Sequence, residues 1–490
     1  MISILAAFTL SIGLSWWIYN VAYSIFFSPL REIPSPLVFQ LFPLYHKYLL
    51  GNGSAPFVCH KYYLRYGPVF RVGWRRVLFV DQEAVSTIHG TYQFNKASSY
   101  NGFSYFGENV FSTRSRAFHT KRKRHISPAF TRANIERMVP LVESAGIAPL
   151  FKNFDQAIDR NKPIDLYRQF HRMAYDVIGE IALGHSLRML ETGDLTAFRL
   201  IQKVGAYAML TIFLPFLQGF KCGVAEQLRE FHQDLLKTYF SDPSHSKKKQ
   251  RILDHYATAQ DLETGAVLSK EEILAETNII LFAGTDTTSV SLLWFNYLLM
   301  KHPEVETKVL DELKTLLKEN VIDSSELIPY HLCQKLVYLD AALKESMRIL
   351  PPAPNMPFRV VPSTGATIMG HYLPPETECA VPIYSLHNSP EHWTEPERFL
   401  PERWLTSEIN EEGKPMKKLI SLPNYMPFLI GPRACLGKNL AWMELVLTLT
   451  NTLARYKFTL IDKKIPVLTC LPILRPVDST LPVSISRRDF

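Results

Sequence analysis

The chain opens on a long apolar run. No charged side chain occurs before Arg31, and a helix that spans the core of a bilayer needs about 20 apolar residues. A cleaved signal peptide fits less well, because no basic segment precedes the run. Positive charge follows the run, so we expect residues 1–28 to form a transmembrane anchor and the rest of the chain to be cytosolic. Residues 29–36 hold three prolines and predict a stiff hinge.

Beyond the hinge, helix-like stretches alternate with proline-rich ones, and strand-like patterns occur at residues 69–73 and 77–80. No linker or repeat divides this part of the chain, which predicts one mainly α domain with a small β portion over residues 37–490. The clearest helix begins after Ser269, where Glu272 completes a capping box. No proline follows until Pro303, so we expect a buried central helix of about 30 residues.

Composition narrows the function classes. The 490 residues are 47% hydrophobic and 20% charged, which excludes a disordered or fibrous protein. The net charge of +8 is too small to indicate a nucleic-acid binder of this size. The six cysteines show no CxxC spacing, so neither a disulfide framework nor a zinc site is expected.

The middle of the central helix is unusually polar. Residues 283–289 read Ala-Gly-Thr-Asp-Thr-Thr-Ser, although glycine alone costs a helix about 1 kcal/mol relative to alanine. One interpretation is a tolerated polar patch on a half-exposed helix. The other is a bent helix with a groove that holds water, because hydroxyl groups bond back to the carbonyl four residues earlier. In such a groove a carboxylate and a hydroxyl would relay protons.

One cysteine near the C-terminus stands in a distinctive setting. Residues 428–438 read Phe-Leu-Ile-Gly-Pro-Arg-Ala-Cys-Leu-Gly-Lys, a Gly-Pro turn that leads through a cysteine into an apolar-periodic helix. A thiol at a helix N-terminus, beside an arginine, is favoured as thiolate. Without a second Cys or a His nearby, it is a poor zinc ligand. Cys435 is then either a nucleophile or the axial ligand of a haem iron.

Together these segments resemble the cytochrome P450 family. Residues 428–437 fit the haem-ligand signature Phe-x-x-Gly-x-Arg-x-Cys-x-Gly, and residues 283–288 fit the oxygen-activating pattern. Residues 345–348 and 401–404 fit the Glu-x-x-Arg and Pro-Glu-Arg-Trp elements. The sequence around the cysteine is similar to that of microsomal members from filamentous fungi, many of which act in secondary metabolism. The resemblance covers residues 30–490 and implies a long central helix over the haem.

The resemblance implies that haem b is the cofactor, with Cys435 as the thiolate ligand of its iron. Haem propionates need cationic partners, which Arg433 and Arg359 supply in this pattern. Relatives carry Trp and Arg at two further places where this chain has His119 and Lys123, and lysine lacks the bidentate fork of arginine. The implied haem-binding residues are Cys435, Phe428, Gly431, Gly437, Arg433, Arg359, His119 and Lys123.

The resemblance also implies an acid–alcohol pair, Asp286 and Thr287, that delivers protons during oxygen activation. Glu345, Arg348 and Arg403 correspond to a buried charged triad that is structural rather than catalytic. The substrate pocket, by the same analogy, includes Tyr100, Phe103, Phe106, Phe213, Phe282 and Ala283. The hydrophobic stretch 209–220 either contributes to this pocket or dips into a membrane.

The implied activity is insertion of one oxygen atom from O2 into a lipophilic small molecule, by hydroxylation or epoxidation. A terpenoid, a steroid or a polyketide of fungal secondary metabolism is the expected kind of substrate. Electrons would come from NADPH through NADPH–cytochrome P450 reductase, with cytochrome b5 as a second candidate donor. Some cations among residues 121–125 would face the reductase.

The implied location is the endoplasmic reticulum membrane, with a single span and a cytosolic catalytic domain, and nucleic acid is not an expected partner. Two alternatives stay open. One is an enzyme of the same fold that isomerises, dehydrates or couples phenols without inserting oxygen. The other is a non-catalytic, membrane-tethered haem-binding protein.

Overall fold

A computed structural model describes residues 2–213, 223–242, 251–261, 265–323, 325–409, 415–462 and 464–489. The fold is mainly helical. In chain order the α-helices are α1 (Ile2–Ala22), α2 (Leu37–Leu41), α3 (Tyr45–Gly51), α4 (Ala55–Tyr66), α5 (Gln82–His89), α6 (Arg116–Ile126), α7 (Arg132–Val142), α8 (Ala148–Asp159), α9 (Leu166–Leu183), α10 (Met189–Thr192), α11 (Thr196–Phe213), α12 (Gly223–Ser241), α13 (Ile252–Ala257), α14 (Lys270–Lys301), α15 (Pro303–Asn320), α16 (Tyr330–Cys333), α17 (Val337–Ile349), α18 (Ile383–His387) and α19 (Lys438–Arg455).

The strands are short and gather into small sheets. They are β1 (Val69–Gly73), β2 (Arg76–Phe79), β3 (Asn95–Lys96), β4 (Ile164–Asp165), β5 (Arg359–Val360), β6 (Ala366–Ile368), β7 (His371–Leu373), β8 (Glu378–Ala380), β9 (Leu405–Ile409), β10 (Pro415–Leu419), β11 (Tyr456–Leu460), β12 (Leu468–Cys470), β13 (Leu474–Pro476) and β14 (Pro482–Arg487). The largest sheet has the order β1-β2-β8-β5-β3, in which only β2 and β8 run parallel. The strand-like patterns of the sequence are confirmed as β1 and β2.

The central helix is confirmed as α14, which has 32 residues. Ser269 Oγ accepts the N–H of Glu272, and the Glu272 carboxylate accepts the N–H of Ser269, so both halves of the predicted capping box form. The α-helix continues without a break through its polar middle. The bend expected there is therefore not marked by an interruption of the helix. Trp294 is fully buried, and its indole N–H donates to the carbonyl of Leu474 over 3.0 Å.

Helix α14 packs most extensively against α9, and Gly284 is one point of close contact between the two helices. A Cβ atom at Gly284 would lie 2.8 Å from Cδ1 of Ile178 on α9, well inside van der Waals contact. The missing side chain therefore lets a neighbouring helix approach the backbone.

The predicted transmembrane anchor is wrong. Helix α1 forms, but across the described ranges no helix is both long enough and apolar enough to cross a membrane. The physical reason lies in the run itself, which includes polar Ser11, Ser15 and Asn20. Its second half also docks on the protein: Trp17 donates its indole N–H to the carbonyl of Leu41 over 2.7 Å. The endoplasmic-reticulum, single-span location that rested on this anchor is withdrawn with it.

The proline-rich segment 29–36 is held against the body of the protein. It forms turns in which Arg31 N donates to Ser28 O and Ile33 N donates to Leu30 O. The side chains of Leu30 and Ile33 are buried. The fully buried Arg71 of β1 donates to the carbonyl of Ile33, which fixes the segment to the largest sheet. A hinge at this place stays a prediction.

The stretch 209–220 falls mostly outside the described residues, because the description stops at Phe213 and resumes at residue 223. The choice between a pocket wall and a membrane-dipping stretch therefore stays open.

The contact at Gly284 predicts a substitution effect. We expect Gly284→Val to lower the free energy of unfolding by about 1–3 kcal/mol, because the new branched side chain overlaps Ile178. Urea unfolding measures the change. The matched control is Gly205→Val on α11, where no atom lies within 4 Å of an added Cβ and the change should stay within about 0.5 kcal/mol. Recovery of part of the loss in Gly284→Val/Ile178→Ala would locate the clash, and no recovery would refute it.

Candidate functional site

The cysteine loop runs from Phe428 to the start of α19, and it holds Cys435 three residues before the helix begins. The backbone N–H of Cys435 donates to the carbonyl of Phe428 over 2.9 Å, which closes the loop. Cys59, Cys333, Cys379 and Cys470 are buried, and among the cysteines that the structure describes Cys435 alone is exposed.

The Cys435 thiol is accessible but lies deep in the protein. Burial raises its pKa, while the N–H groups of Gly437 and Lys438 and the charge of Lys438 act in the opposite direction. A thiol that is both exposed and surrounded by protein faces an enclosed space, where a bound ligand can reach it. Metal binding selects the deprotonated form of such a thiol.

Gly431 is required by the packing of this loop. Its φ of 71° is left-handed, a conformation that side chains disfavour. An added Cβ would lie 2.1 Å from the carbonyl oxygen of His89, at the end of α5. Gly437 has no such restriction, since its Cβ would meet its nearest neighbour, Cys435 Sγ, at 3.9 Å. Phe428 is half-buried, and its ring packs edge-on to Trp442 of α19 with centroids 6.2 Å apart.

Two buried cations lie side by side on the largest sheet. Lys96 of β3 is directly opposite Arg359 of β5 in an antiparallel pair, and side chains in that relation lie on the same face. Both are buried. Lys96 donates to the carbonyl of Phe111, and Arg359 donates to the hydroxyl of Tyr100 over 3.2 Å. Burial, together with the charges of Arg359 and Arg433, holds the pKa of Lys96 well below its usual range.

Arg433 of the cysteine loop adds a third cation to this cluster, which we call the cation cluster (Lys96, Arg359 and Arg433). It donates to the carbonyl of Thr113 over 2.8 Å. Within the ranges that the structure covers, no carboxylate lies within ion-pair distance of any member. Buried cations normally pair with anions, and Lys96 and Arg359 are buried, so the cluster is a candidate site for an anionic group.

His119 and Lys123 lie one turn apart on α6, beside the cation cluster. His119 is hydrogen-bonded through Nδ1 to the hydroxyl of Tyr92 over 2.8 Å. Burial, and then the nearby charges led by Arg433, lower its pKa to about 3, so it is neutral at pH 7. Lys123 donates to the carbonyl of Pro432 in the cysteine loop over 2.8 Å. The structure therefore brings this pair to the site.

The polar side chains in the middle of α14 point in two directions. Thr287 is half-buried and donates its hydroxyl to the carbonyl of Ala283 over 2.8 Å, and Ala283, one turn earlier on the same face, is exposed. Asp286 points elsewhere: its Oδ1 lies 2.8 Å from Nε2 of His171 on α9. Helix α14 also packs against α19, which follows Cys435.

Glu345, Arg348 and Arg403 form a connected buried network. Arg348 binds Glu345 through two N–H groups at 2.9 and 2.8 Å, and Arg403 Nε donates to Glu345 Oε1 over 3.0 Å. Trp404 donates its indole N–H to Glu345 Oε2 over 2.8 Å. Glu345 and Arg348 are fully buried, so each charge is compensated inside the protein.

The predicted pocket residues fall into two groups. Tyr100, Phe103, Phe111 and Phe282 form a chain of ring contacts, with Phe103 5.2 Å from Phe111 and 6.3 Å from Phe282 between centroids. We call these four residues the aromatic wall. Phe106 is instead buried in a separate hydrophobic cluster. The side chain of Phe213 lies outside the described residues.

A cavity of about 400 Å³ opens between residues 101–114 and α11. Most of the residues that line it are of polar types, with Ser104, Glu108, Thr113 and Tyr207 among them. This polarity was not expected from the aromatic residues of the sequence.

Comparison with known proteins decides the family. A family model described as Cytochrome P450 matches residues 32–478. The chain belongs to the cytochrome P450 family. It is an oxidoreductase of the monooxygenase type, and the family uses a haem iron as cofactor.

Several curated P450 relatives match most of the chain. It is 27% identical to cytochrome P450 monooxygenase helB1 of Aspergillus fumigatus, over 94% of this chain and 80% of the relative. It is 27% identical to cytochrome P450 monooxygenase BOT1 of Botryotinia fuckeliana, over 94% of this chain and 90% of that protein. Cytochrome P450 3A6 of Oryctolagus cuniculus is 30% identical over 68% of this chain and 67% of its own length.

The residues of this P450 fit a haem. Haem carries two propionate carboxylates. The cation cluster, in which Lys96 and Arg359 are buried and Arg433 is half-buried, supplies positive charge that the described residues leave without an anion. An accessible thiol stands in the cysteine loop that also carries Arg433. Charge and ligand type therefore both match the group that the family implies.

Two residues of the site escaped the sequence analysis. Lys96 is the one Lys, Arg, Asp or Glu between Glu83 and Glu108, and a lone cation in an aromatic-rich segment is the signal that could have found it. His171 lies between arginines in sequence, which is typical of an exposed position. On α9, however, it shares the buried face of Tyr167 and Tyr175, and only the helical period reveals this.

The buried triad predicts a stability effect. We expect Glu345→Gln to lower the free energy of unfolding by about 3–5 kcal/mol, because it strands the charge of Arg348. Urea unfolding of the purified protein measures this. Glu402→Gln is the matched control: Glu402 pairs with Lys308 at the surface, and its loss should cost under about 1 kcal/mol. Equal losses in the two variants would contradict the network.

The cation cluster predicts opposite effects with and without haem. Lys96→Met removes a buried like charge, so the haem-free protein should become no less stable. Haem affinity should instead fall by about 10- to 100-fold, the range of a lost charge-assisted hydrogen bond. Thermal unfolding and haem titration measure the two effects. Lys61→Met removes an exposed cation and should change neither; unchanged haem affinity in Lys96→Met would refute the assignment.

Proposed function

We propose that this P450 is a haem-thiolate monooxygenase that inserts one oxygen atom from O2 into a lipophilic small molecule. The observation that carries the proposal is one exposed thiol, Cys435, set in the loop that brings Arg433 to a buried cation cluster. We place the enzyme in fungal secondary metabolism, with hydroxylation or epoxidation of a terpenoid, steroid or polyketide as the reaction. The fungal relatives support this setting.

The haem, when bound, supplies the oxygen chemistry. The protein supplies position and charge. In this proposal Cys435 ligates the iron, while Lys96, Arg359 and Arg433 hold the propionates. Lys123 ties α6 to the cysteine loop through the carbonyl of Pro432, so it supports the loop as well as adding charge.

Thr287 and Asp286 move the protons in this proposal. The Thr287 hydroxyl now donates to the carbonyl of Ala283, one turn back on α14. Rotation about χ1 can turn such a hydroxyl toward the space next to the exposed Ala283, because threonine has more than one accessible rotamer in a helix. Asp286 is about one-fifth exposed, so it can exchange protons with water.

Electrons come from NADPH through a reductase in this proposal, with cytochrome b5 as a second donor. The basic run 121–125 on α6 does not act as one face, as expected for consecutive helical residues. Arg122 is buried and Lys121 pairs with Asp261, whereas Arg124 is exposed. Arg124 is therefore the member of this run that is available to an acidic partner surface.

The substrate is proposed to lie against the aromatic wall. The segment that carries three of its rings is fixed to the central helix, because the N–H of Val110 donates to the Glu276 carboxylate over 3.1 Å. Rings held on a fixed segment suit a lipophilic substrate. The neighbouring cavity with its polar lining offers hydrogen bonds to oxygen atoms that such a molecule carries.

The test is the carbon monoxide difference spectrum of the reduced protein. We expect a Soret band in the position typical of thiolate ligation, which Cys435→Ser abolishes because a hydroxyl does not replace the thiolate. Cys59→Ala, which alters a buried core thiol, should keep the band. A wild-type protein that binds haem without this band, or a Cys435→Ser variant that retains it, would contradict the proposed function.

A further inference from the structure

Asp286 of the central helix has a partner that the family signature does not contain. Its Oδ1 lies 2.8 Å from Nε2 of His171, and the side chain of His171 is 2% exposed against 20% for Asp286. The partner comes from α9, far from Asp286 in sequence. A contact of this length between a buried imidazole and a carboxylate is a full hydrogen bond.

The surroundings of His171 fix which nitrogen carries the proton. Nδ1 is buried and has no hydrogen-bond partner among the residues that the structure describes. With the proton on Nε2, the ring donates to the carboxylate and leaves only an acceptor unpaired. With the proton on Nδ1, a lone pair would face the carboxylate and an N–H would be orphaned in the interior. Of the two neutral tautomers, the network therefore favours the one that donates from Nε2 to Asp286.

The glycine of the α14 motif contacts the same helix, α9, as this hydrogen bond does. Gly284 brings α9 close, because its backbone packs on Ile178. Ile178 lies seven residues after His171, which is two turns along the same face of α9. Gly284 and Asp286 both contact α9, Gly284 at Ile178 and Asp286 at His171. The helix contact and the hydrogen bond are thus two points of one interface.

The imidazole is also held from its sides. The ring of Phe198, from α11, packs edge-on to it with centroids 4.4 Å apart, and Tyr167 lies one turn earlier on α9 with centroids 6.2 Å apart. A side chain packed in this way has little rotational freedom. It can therefore set the orientation of a group that it binds.

We propose that His171 is a positioning residue for Asp286. It holds Oδ1, so that Oδ2 stays turned toward the accessible side of the helix, where it takes up and releases protons for Thr287. This role rests on the proposed function, since it concerns the proton delivery of that reaction. His171 itself does not contact the substrate or the cofactor in this proposal.

The test combines a functional and a structural readout on the full-length protein. The variants are His171→Leu, His171→Gln, Asp286→Asn and the double variant His171→Leu/Asp286→Asn. With NADPH and the reductase, but without substrate, one measures hydrogen peroxide released per NADPH consumed. Urea unfolding of the same variants gives a double-mutant cycle. The matched control is His232→Leu, which removes another fully buried histidine, one that contacts Tyr175 rather than Asp286.

We expect His171→Leu to change the peroxide yield by about two- to tenfold, the range that a single hydrogen bond controls. Asp286→Asn should give the same peroxide yield as His171→Leu. The double variant should show no larger change than either single variant. His171→Gln, whose amide N–H can replace Nε2–H, should stay near wild type, as should His232→Leu. The unfolding cycle should show coupling between positions 171 and 286.

Each contrary result is distinct. Coupling in the unfolding cycle with a wild-type peroxide yield in His171→Leu would show a purely structural bond and overturn the proposal. Absence of coupling would show that the bond does not form and would overturn it as well. If the wild-type protein consumes no NADPH in a haem-dependent way, the proposed function fails and the positioning role fails with it. The unfolding cycle would still report the hydrogen bond in that case.

Discussion

The constraint on which the site depends is buried positive charge without an anion. Lys96 and Arg359 are opposite each other in the largest sheet, and Arg433 joins them from the cysteine loop through the carbonyl of Thr113. Lys96 and Arg359 are buried and Arg433 is half-buried. Burial, and then repulsion by Arg359 and Arg433, lowers the pKa of Lys96. Carbonyl and hydroxyl partners reduce the cost but supply no countercharge. A dianionic ligand would complete this part of the protein, and the loop that carries Cys435 is the same loop that brings Arg433.

The protein treats its buried charges in two ways. The Glu345–Arg348–Arg403 network is closed, since every strong charge in it faces an opposite one. The cation cluster is open. A network whose charges are all paired holds structural elements together, and it could bind a ligand only by losing its internal ion pairs. A cluster whose charges are unpaired is stabilised when an oppositely charged ligand binds. The contact between Asp286 and His171 is intermediate between these two kinds of arrangement. Asp286 is paired within the protein, yet its side chain stays partly accessible to solvent.

Sequence patterns predicted those features that depend on interactions between residues close together in the chain. The capping box at Ser269 and the absence of proline up to Pro303 defined the central helix. The resemblance of short motifs to a known family pointed to the cysteine loop and implied the triad. Features that depend on tertiary contacts were not predicted: the pairing of Lys96 with Arg359 needs the strand register, and the contact of His171 with Asp286 needs the packing of α9 on α14. The transmembrane anchor was wrong: the uncharged run that predicted it includes polar Ser11, Ser15 and Asn20, and its Trp17 docks on the carbonyl of Leu41.

The central claim is that the cation cluster exists to bind the two carboxylates of a haem whose iron Cys435 ligates. The most direct measurement is titration of the haem-free protein with haem and, separately, with haem dimethyl ester, in which both propionates are neutral. The account predicts that the ester binds at least about tenfold more weakly, because it forfeits the charge-assisted hydrogen bonds. Equal affinity for the two compounds would contradict it, since the buried cations would then have no part in holding the cofactor.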